Sequence, residues 1–164
     1  MGSFINNGTI EGGFTGVRFD QTAITTIVNN GTIIGSIKGG NADRTWRSAG
    51  MEIMAQNIGS LENSGRIQGN TGLYLEDVWM KEIVNKSGGV IAGMGALSYD
   101  KVWNNKPGAA NASPGSGISF VYNKVETIRL ESGSKTTSQN AAGLFVGTQG
   151  LSLIHISEPT RLAL

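Results

Sequence analysis

The most constraining feature of this chain is an apolar pattern that occurs four times. In each copy, a glycine is followed by apolar residues one, three, eight and eleven positions later. The copies begin at Gly16, Gly50, Gly72 and Gly117, and all four positions are apolar in every copy. An internal repeat of this length is typical of solenoids, in which each unit buries its apolar residues only against its neighbours.

Each repeat is associated with a turn rich in asparagine, serine and glycine. The turns read NNGTIEG, NNGTIIG, NSGRIQG and NKSGGVIAG, and they begin at Asn6, Asn29, Asn63 and Asn85. Their glycines are Gly8, Gly31, Gly65 and Gly88, spaced 23, 34 and 23 residues apart. Because 34 equals a 23-residue unit with eleven residues added, the spacing predicts coils of about 22–23 residues.

Short strands, rather than helices, are predicted within each repeat. Val17 and Phe19 alternate with Arg18 and Asp20, a period of two that places the apolar pair on one face. Each repeat also contains two or three glycines, and each glycine would cost a helix roughly 1 kcal/mol. We therefore expect an all-β fold, a single-stranded parallel β-helix or β-solenoid. We take it to be right-handed because right-handed crossovers dominate.

Stacked coils should place equivalent side chains in ladders, with neighbouring coils about 4.8 Å apart. The expected apolar ladders are Val17, Met51, Leu73, Ile118; Phe19, Ile53, Leu75, Phe120; Ile27, Leu61, Ile83, Ile128; and Ile10, Ile33, Ile67, Val90. The four turn asparagines should form an amide ladder, in which each side chain donates a hydrogen bond to the next. Leu130 replaces asparagine in the following turn, so the ladder should stop there.

One β-helix domain of about five to six coils is expected over residues 1–150. A polar, glycine-flanked loop is predicted near residues 36–49. Residues 95–116 are interpreted as a degenerate coil whose second half loops out, with a plain insertion as the alternative, because proline interrupts this polar stretch.

The two ends of the sequence differ from the repeats. Residues 1–15 contain only the turn half of a unit, which suggests an internal fragment of a longer protein. Residues 151–161 resemble a translated sequencing-library adapter, so residues 151–164 are expected to be an artefactual tail. This interpretation removes His155, the only histidine, from functional consideration.

Composition argues against several classes of function. Thirteen Lys and Arg residues are interspersed with twelve Asp and Glu residues, and this balance gives no sign of a nucleic-acid interface. Without cysteine, disulfides and thiolate metal sites are excluded. Without a histidine outside the tail, histidine metal sites and serine–histidine or thiol–histidine catalysis are excluded as well. We therefore expect no cofactor, no metal, no nucleic-acid partner and no enzymatic activity.

Acidic residues are expected to be surface charges. Asp20 and Glu76 share the fourth position after the repeat glycine, two coils and roughly 10 Å apart, but Met54 stands between them. No second row of acids completes a catalytic cleft of the kind found in polysaccharide-active β-helices. Arg18 and Glu52 share an outward position and are expected to form a surface pair.

Aromatic residues are the better candidates for ligand binding. Trp79 and Trp103 are predicted to lie on neighbouring coils, and Trp46 lies between Arg44 and Arg47 in the first insertion. Flat aromatic rings beside guanidinium groups suit sugar rings or a protein partner. The alternative is that these tryptophans only cover the flank of the coils.

The alternation of INNGTIEG, IVNNGTIIG, LENSGRIQG and IVNKSGGVIAG with GVRF, GMEI and GLYL resembles the passenger β-helix of bacterial type V autotransporters. The resemblance covers about residues 4–146. It implies export and display on a Gram-negative cell surface, with membrane contact only through a C-terminal barrel domain that this fragment lacks. Passengers of this kind use the scaffold for adhesion, autoaggregation, proteolysis and esterase chemistry. Because this sequence offers no catalytic set, we expect a non-enzymatic scaffold for adhesion or cell–cell contact.

The partners implied by this resemblance are glycans or proteins on host or bacterial surfaces, and self-association is a further expectation. A polysaccharide-active β-helix enzyme or a phage tail fibre segment is the alternative from a different class. A purely structural stalk, without a ligand, is the third.

Overall fold

The computed structural model describes residues 2–22, 24–36, 48–95, 115–121, 123–139, 142–146 and 155–157. Within these ranges the chain is all-β and contains no helix. The strands are β1 (Gly2–Asn6), β2 (Thr9–Glu11), β3 (Val17–Asp20), β4 (Ile24–Asn29), β5 (Thr32–Ile34), β6 (Ala49–Asn63), β7 (Arg66–Gly69), β8 (Thr71–Asn85), β9 (Val90–Gly93), β10 (Ile118–Val121), β11 (Lys124–Leu130), β12 (Lys135–Ser138), β13 (Leu144–Val146) and β14 (His155–Ser157).

These strands form two sheets, and every pair of neighbours is parallel. The larger sheet follows the order β1-β4-β6-β8-β10-β13, with β3 paired to β6, β11 to β8 and β14 to β11. The smaller sheet follows the order β12-β9-β7-β5-β2. Neighbours within a sheet come from successive sequence repeats, so both sheets are built by stacking one repeat on the next.

The register confirms three of the four predicted apolar ladders in full. These are the ladders that begin at Val17, Phe19 and Ile27 and end at Ile118, Phe120 and Ile128. The fourth ladder runs as predicted through Ile33 and Ile67, but the next member is Ile91 and not Val90.

A longer turn explains this error. Ile91 lies six positions after Asn85, whereas Ile67 lies four positions after Asn63. Backbone hydrogen bonds place Gly89, not the predicted Gly88, in the position of Gly65, because Val90 N donates to Gly65 O and Lys135 N donates to Gly89 O. Gly88 instead lies in the left-handed region, with φ of 79°, within the added turn.

The hydrophobic core lies between the two sheets. Leu61 and Ile83 from the larger sheet, and Ile33, Ile67 and Ile91 from the smaller sheet, are fully buried in one continuous cluster. Each such side chain contributes roughly 1.5–3 kcal/mol through its removal from water. Burial along the repeat therefore couples both sheets of one unit to those of its neighbours.

The glycine that begins each repeat is required by the close approach of successive backbones. A Cβ atom at Gly16, Gly50 or Gly72 would lie 2.5–2.8 Å from the carbonyl oxygen of the glycine that begins the next unit. Such a contact is shorter than any that a real Cβ atom makes. The first residue of the repeating pattern is therefore set by backbone packing.

The turn asparagines form a buried amide ladder. Asn6 Nδ2 donates to Asn29 Oδ1 at 2.8 Å, Asn29 Nδ2 to Asn63 Oδ1 at 2.7 Å, and Asn63 Nδ2 to Asn85 Oδ1 at 2.8 Å. Leu130 is in register with Asn85, and the amide chain ends there as predicted. Asn85 Nδ2 donates instead to the carbonyl of Lys135 at 3.0 Å.

A second, shorter ladder lies on the exposed side of the same turns. Asn30 Nδ2 donates to Asn7 Oδ1 at 2.8 Å, and Ser64 Oγ donates to Asn30 Oδ1 at 2.8 Å. These side chains are exposed to water, which competes for the same hydrogen bonds. The exposed ladder should therefore contribute much less stability than the buried one.

The third and fourth complete repeats pair directly with each other. Leu73 is in register with Ile118, and Ile83 with Ile128, a separation of 45 residues. These two repeats are therefore adjacent in the larger sheet. Residues 96–114 themselves lie outside the described residues.

The residues that flank the two insertions stack at one corner. Asn70 N donates to Ser36 O at 3.3 Å, and Gly95 N donates to Asn70 O at 3.1 Å. On the returning side, Thr71 N donates to Ser48 O at 2.9 Å. In the second repeat, Thr71 follows Asn70 directly at this corner, without an insertion. Residues 37–47 lie outside the described residues.

In the expected tail, residues 155–157 form β14, which pairs with β11. The residue in register with Ile128 is Ile156. The interpretation of residues 151–161 as a translated adapter stays a prediction.

The substitution Asn63→Ala should destabilise the protein by about 2–4 kcal/mol, because it breaks two hydrogen bonds of the buried ladder. Asn30→Ala is the matched control in the exposed ladder and should cost less than about 1 kcal/mol. Urea unfolding monitored by circular dichroism measures both effects. Equal losses for the two variants would contradict the role of the buried ladder.

Candidate functional site

Of the five residues predicted to bind ligand, the structure describes Trp79. The other four, Arg44, Trp46, Arg47 and Trp103, lie outside the described residues. The site is therefore built from Trp79 and the residues that the repeat brings beside it.

Trp79 is held on the outer face of β8. Its neighbours in the chain, Val78 and Met80, are both buried in the core. Trp79 is 40% exposed, and within the described residues Ile5 is the other large hydrophobic side chain that is exposed. Because both adjacent residues anchor the backbone, the indole is presented from a rigid strand.

Two polar residues flank Trp79 in register. Asn57 on β6 pairs with Trp79 on one side, and Lys124 on β11 pairs with it on the other. All three are exposed, and we call them the Trp79 row. Asn57 and Lys124 occupy the positions in register with Trp79 on either side, and Trp103, which was expected on a neighbouring coil, lies outside the described residues.

The repeat itself contains the signal for this row. Asn57, Trp79 and Lys124 each lie seven positions after the glycine that begins their repeat. The apolar positions of the repeat do not by themselves reveal the two polar neighbours. Counting outward positions in the same way identifies them.

Charged residues near the Trp79 row make no ion pair, unlike those further along the same sheet. Glu62 pairs with Lys86, and Arg129 pairs with Glu82 and Glu131 at 3.3 and 3.2 Å. By contrast, Lys81, Lys124, Asp77 and Glu126 form no ion pair within the part of the chain that the structure describes.

A strained corner precedes Trp79. Asp77 has a positive φ of 55°, and Gln21, five positions after Gly16 as Asp77 is after Gly72, has a φ of 52°. A non-glycine residue in this backbone conformation costs of order 1–3 kcal/mol of folding free energy, and the conformation persists only where the surrounding structure holds it in place. The left-handed corner thus occurs at the equivalent position of two repeats.

Asn123 holds the corner of β8 in place. This buried side chain accepts a hydrogen bond from Val78 N at 2.7 Å and donates one to Leu75 O at 2.7 Å. It lies six positions after Gly117, as the apolar Val78 does after Gly72. The amide of Asn123 therefore fixes the backbone on both sides of Glu76 and Asp77.

Glu52 differs from its predicted role as a surface charge. Arg18 Nε lies 3.7 Å from Glu52 Oε2 as the register predicts, but Glu52 is only 1% exposed. The reason is that its row continues into Tyr74 and Ser119, which are also buried. The sequence does not predict this burial, because Glu52 occupies an outward position of the repeat, where a charged side chain is expected to be exposed to solvent.

Two further acids, Asp20 and Glu76, hold the same position in their repeats. Asp20 and Glu76 share one row with Met54 between them, and Tyr74 donates a hydrogen bond to Glu76 at 3.1 Å. Within the described ranges, no three His, Cys, Asp or Glu side chains group closely enough to hold a metal ion.

None of the described segments is a helix with the length and hydropathy needed to cross a membrane. No family model matches the chain, and neither a curated protein nor a solved structure is significantly similar to it.

The substitution Asn123→Ala should destabilise the protein by about 2–4 kcal/mol, because two buried backbone groups lose their partners. Hydrogen exchange of the Val78 amide should accelerate more than exchange in the smaller sheet. Asn57→Ala is the control, since this exposed asparagine should leave both measurements nearly unchanged. A uniform acceleration in both sheets would contradict a local role for Asn123.

Proposed function

We propose that the two sheets are faces of a parallel β-helix with coils of about 22–23 residues. Each repeat contributes strands to both sheets, and residues of successive repeats pair in register around a shared core. The amide ladder at one corner supports this proposal, because it requires backbone turns to lie directly over one another. Right-handed coiling is proposed from the general preference of parallel crossovers.

The pairing can be tested by disulfide formation, because the chain has no cysteine of its own. The double variant Thr26→Cys with Ser60→Cys joins residues in register on adjacent repeats and should cross-link under oxidation. Thr26→Cys with Glu82→Cys spans two repeats, roughly 10 Å, and should not cross-link. Mass spectrometry of proteolytic peptides measures both, and equal cross-linking would overturn the coil proposal.

For function, we propose a non-enzymatic scaffold that resembles an autotransporter passenger domain and serves adhesion or cell–cell contact. The observation that carries this proposal is the Trp79 row, an exposed aromatic ring on a rigid strand with two polar neighbours. Tryptophan on a rigid backbone offers a large contact area at a low entropic cost, which is typical of binding surfaces. Display on a Gram-negative cell surface is part of the same proposal.

A catalytic role is less well supported by the described acids. Glu52 is almost fully buried, so a polysaccharide could not reach its carboxylate without rearrangement. Glu76 is engaged by the hydroxyl of Tyr74. We therefore place the polysaccharide-active enzyme second to the adhesion scaffold.

Binding of the purified chain to cultured epithelial and Gram-negative bacterial cells tests the proposed function. Trp79→Ala should weaken cell binding by about tenfold, as for other central aromatic contacts, and Trp79→Phe should retain most of it. Ile5→Ala is the matched control, because Ile5 is 59% exposed but lies far from the row in sequence and register. If the unaltered chain binds no cell type, the adhesion proposal is wrong.

A further inference from the structure

The Trp79 row places one polar residue on each side of an exposed indole. Paired strands lie about 4.8 Å apart, so the backbones of Asn57 and Lys124 are each one strand spacing from that of Trp79. A pyranose ring packs its apolar face on an aromatic ring, and its substituents then project toward the neighbouring strands. The row therefore orients a ligand across the strands.

Charge distinguishes the two sides of this row. Lys124 is the charged member, and its ammonium group is a strong hydrogen-bond donor for a carboxylate. Asn57, on the other side, is neutral and both donates and accepts hydrogen bonds, which suits a hydroxyl group. A ligand with an acid at one edge of a sugar ring and hydroxyls at the other is complementary to this arrangement.

The surrounding charges leave this asymmetry in place. Glu126 lies opposite Lys81 in the next outward row, because Val125 pairs with Met80 and Thr127 with Glu82. Both of these charges lie outside the Trp79 row. Asp77 is separated from Trp79 by the buried Val78 and lies at the left-handed corner. Within the row itself, the positive charge of Lys124 stands alone.

We propose that the Trp79 row binds an acidic glycan, with a hexuronic acid residue stacked on Trp79 and its carboxylate bound by Lys124. The inference rests on the proposed adhesion function and specifies its ligand class. Since the carboxylate contact is exposed, it contributes selectivity more than affinity, and salt should weaken it.

Isothermal titration of the intact chain with two tetrasaccharides of equal length tests this inference. One is a tetramer of galacturonic acid, and the other is the neutral tetramer of galactose. The acidic tetramer should bind roughly fivefold more tightly at low ionic strength, and the difference should disappear in high salt. Lys124→Gln should abolish the difference, whereas Lys81→Gln, the matched lysine two residues beyond Trp79, should preserve it.

Three outcomes would overturn the inference. They are equal binding of both tetramers, equal effects of Lys124→Gln and Lys81→Gln, and binding of a short polyglutamate peptide as tight as that of the acidic tetramer. The last result would mean that an acidic protein segment, and not a sugar, is the partner. Binding to cells that depends on Trp79 but shows no preference for acid would reject this inference while leaving the adhesion function intact.

Discussion

Hydrogen bonds that run from one repeat to the next are the interaction on which this structure depends. Backbone pairing fixes the register, and the amide ladder satisfies the polar groups of a corner that would otherwise be buried without partners. The end of the ladder shows how closely the two are linked. Where Leu130 replaces asparagine, Thr136 replaces isoleucine in the smaller sheet, and Asn85 donates to the hydroxyl of Thr136 at 3.3 Å. The hydroxyl group of Thr136 therefore gives Asn85 a hydrogen-bond partner in the same repeat in which Leu130 has replaced the next asparagine.

Much of the fold was predictable because the repeat fixes which residues meet. A count from the first glycine found three apolar ladders without error, since β6 and β8 keep the same length between that glycine and the turn asparagine. The count failed after Asn85, where two added residues moved Ile91 and Gly89 into the positions assigned to Val90 and Gly88. Turn length is a property of local backbone geometry, and an apolar pattern carries no information about it.

The candidate site was predictable in part. The exposure of Trp79 follows from its place between two core positions, whereas its partners Asn57 and Lys124 follow only from knowing which repeats are adjacent. Residues 95–116 obscured that adjacency, because LSYDKVW imitates the apolar spacing of a repeat. The burial of Glu52 was not predictable, because the pattern assigns a face to a residue but does not say what covers that face.

The corner beside Asn70 and Thr71, where both insertions begin and end, is a place where the sequence can lengthen. Paired residues are separated by 22 positions between Leu61 and Ile83 but by 45 between Ile83 and Ile128. Doubling a closed loop costs only about 0.6 kcal/mol of chain entropy, less than the burial of one isoleucine contributes. Sequence can therefore lengthen at this corner with little loss of stability, and new surface chemistry can be acquired there while the register of the strands stays the same.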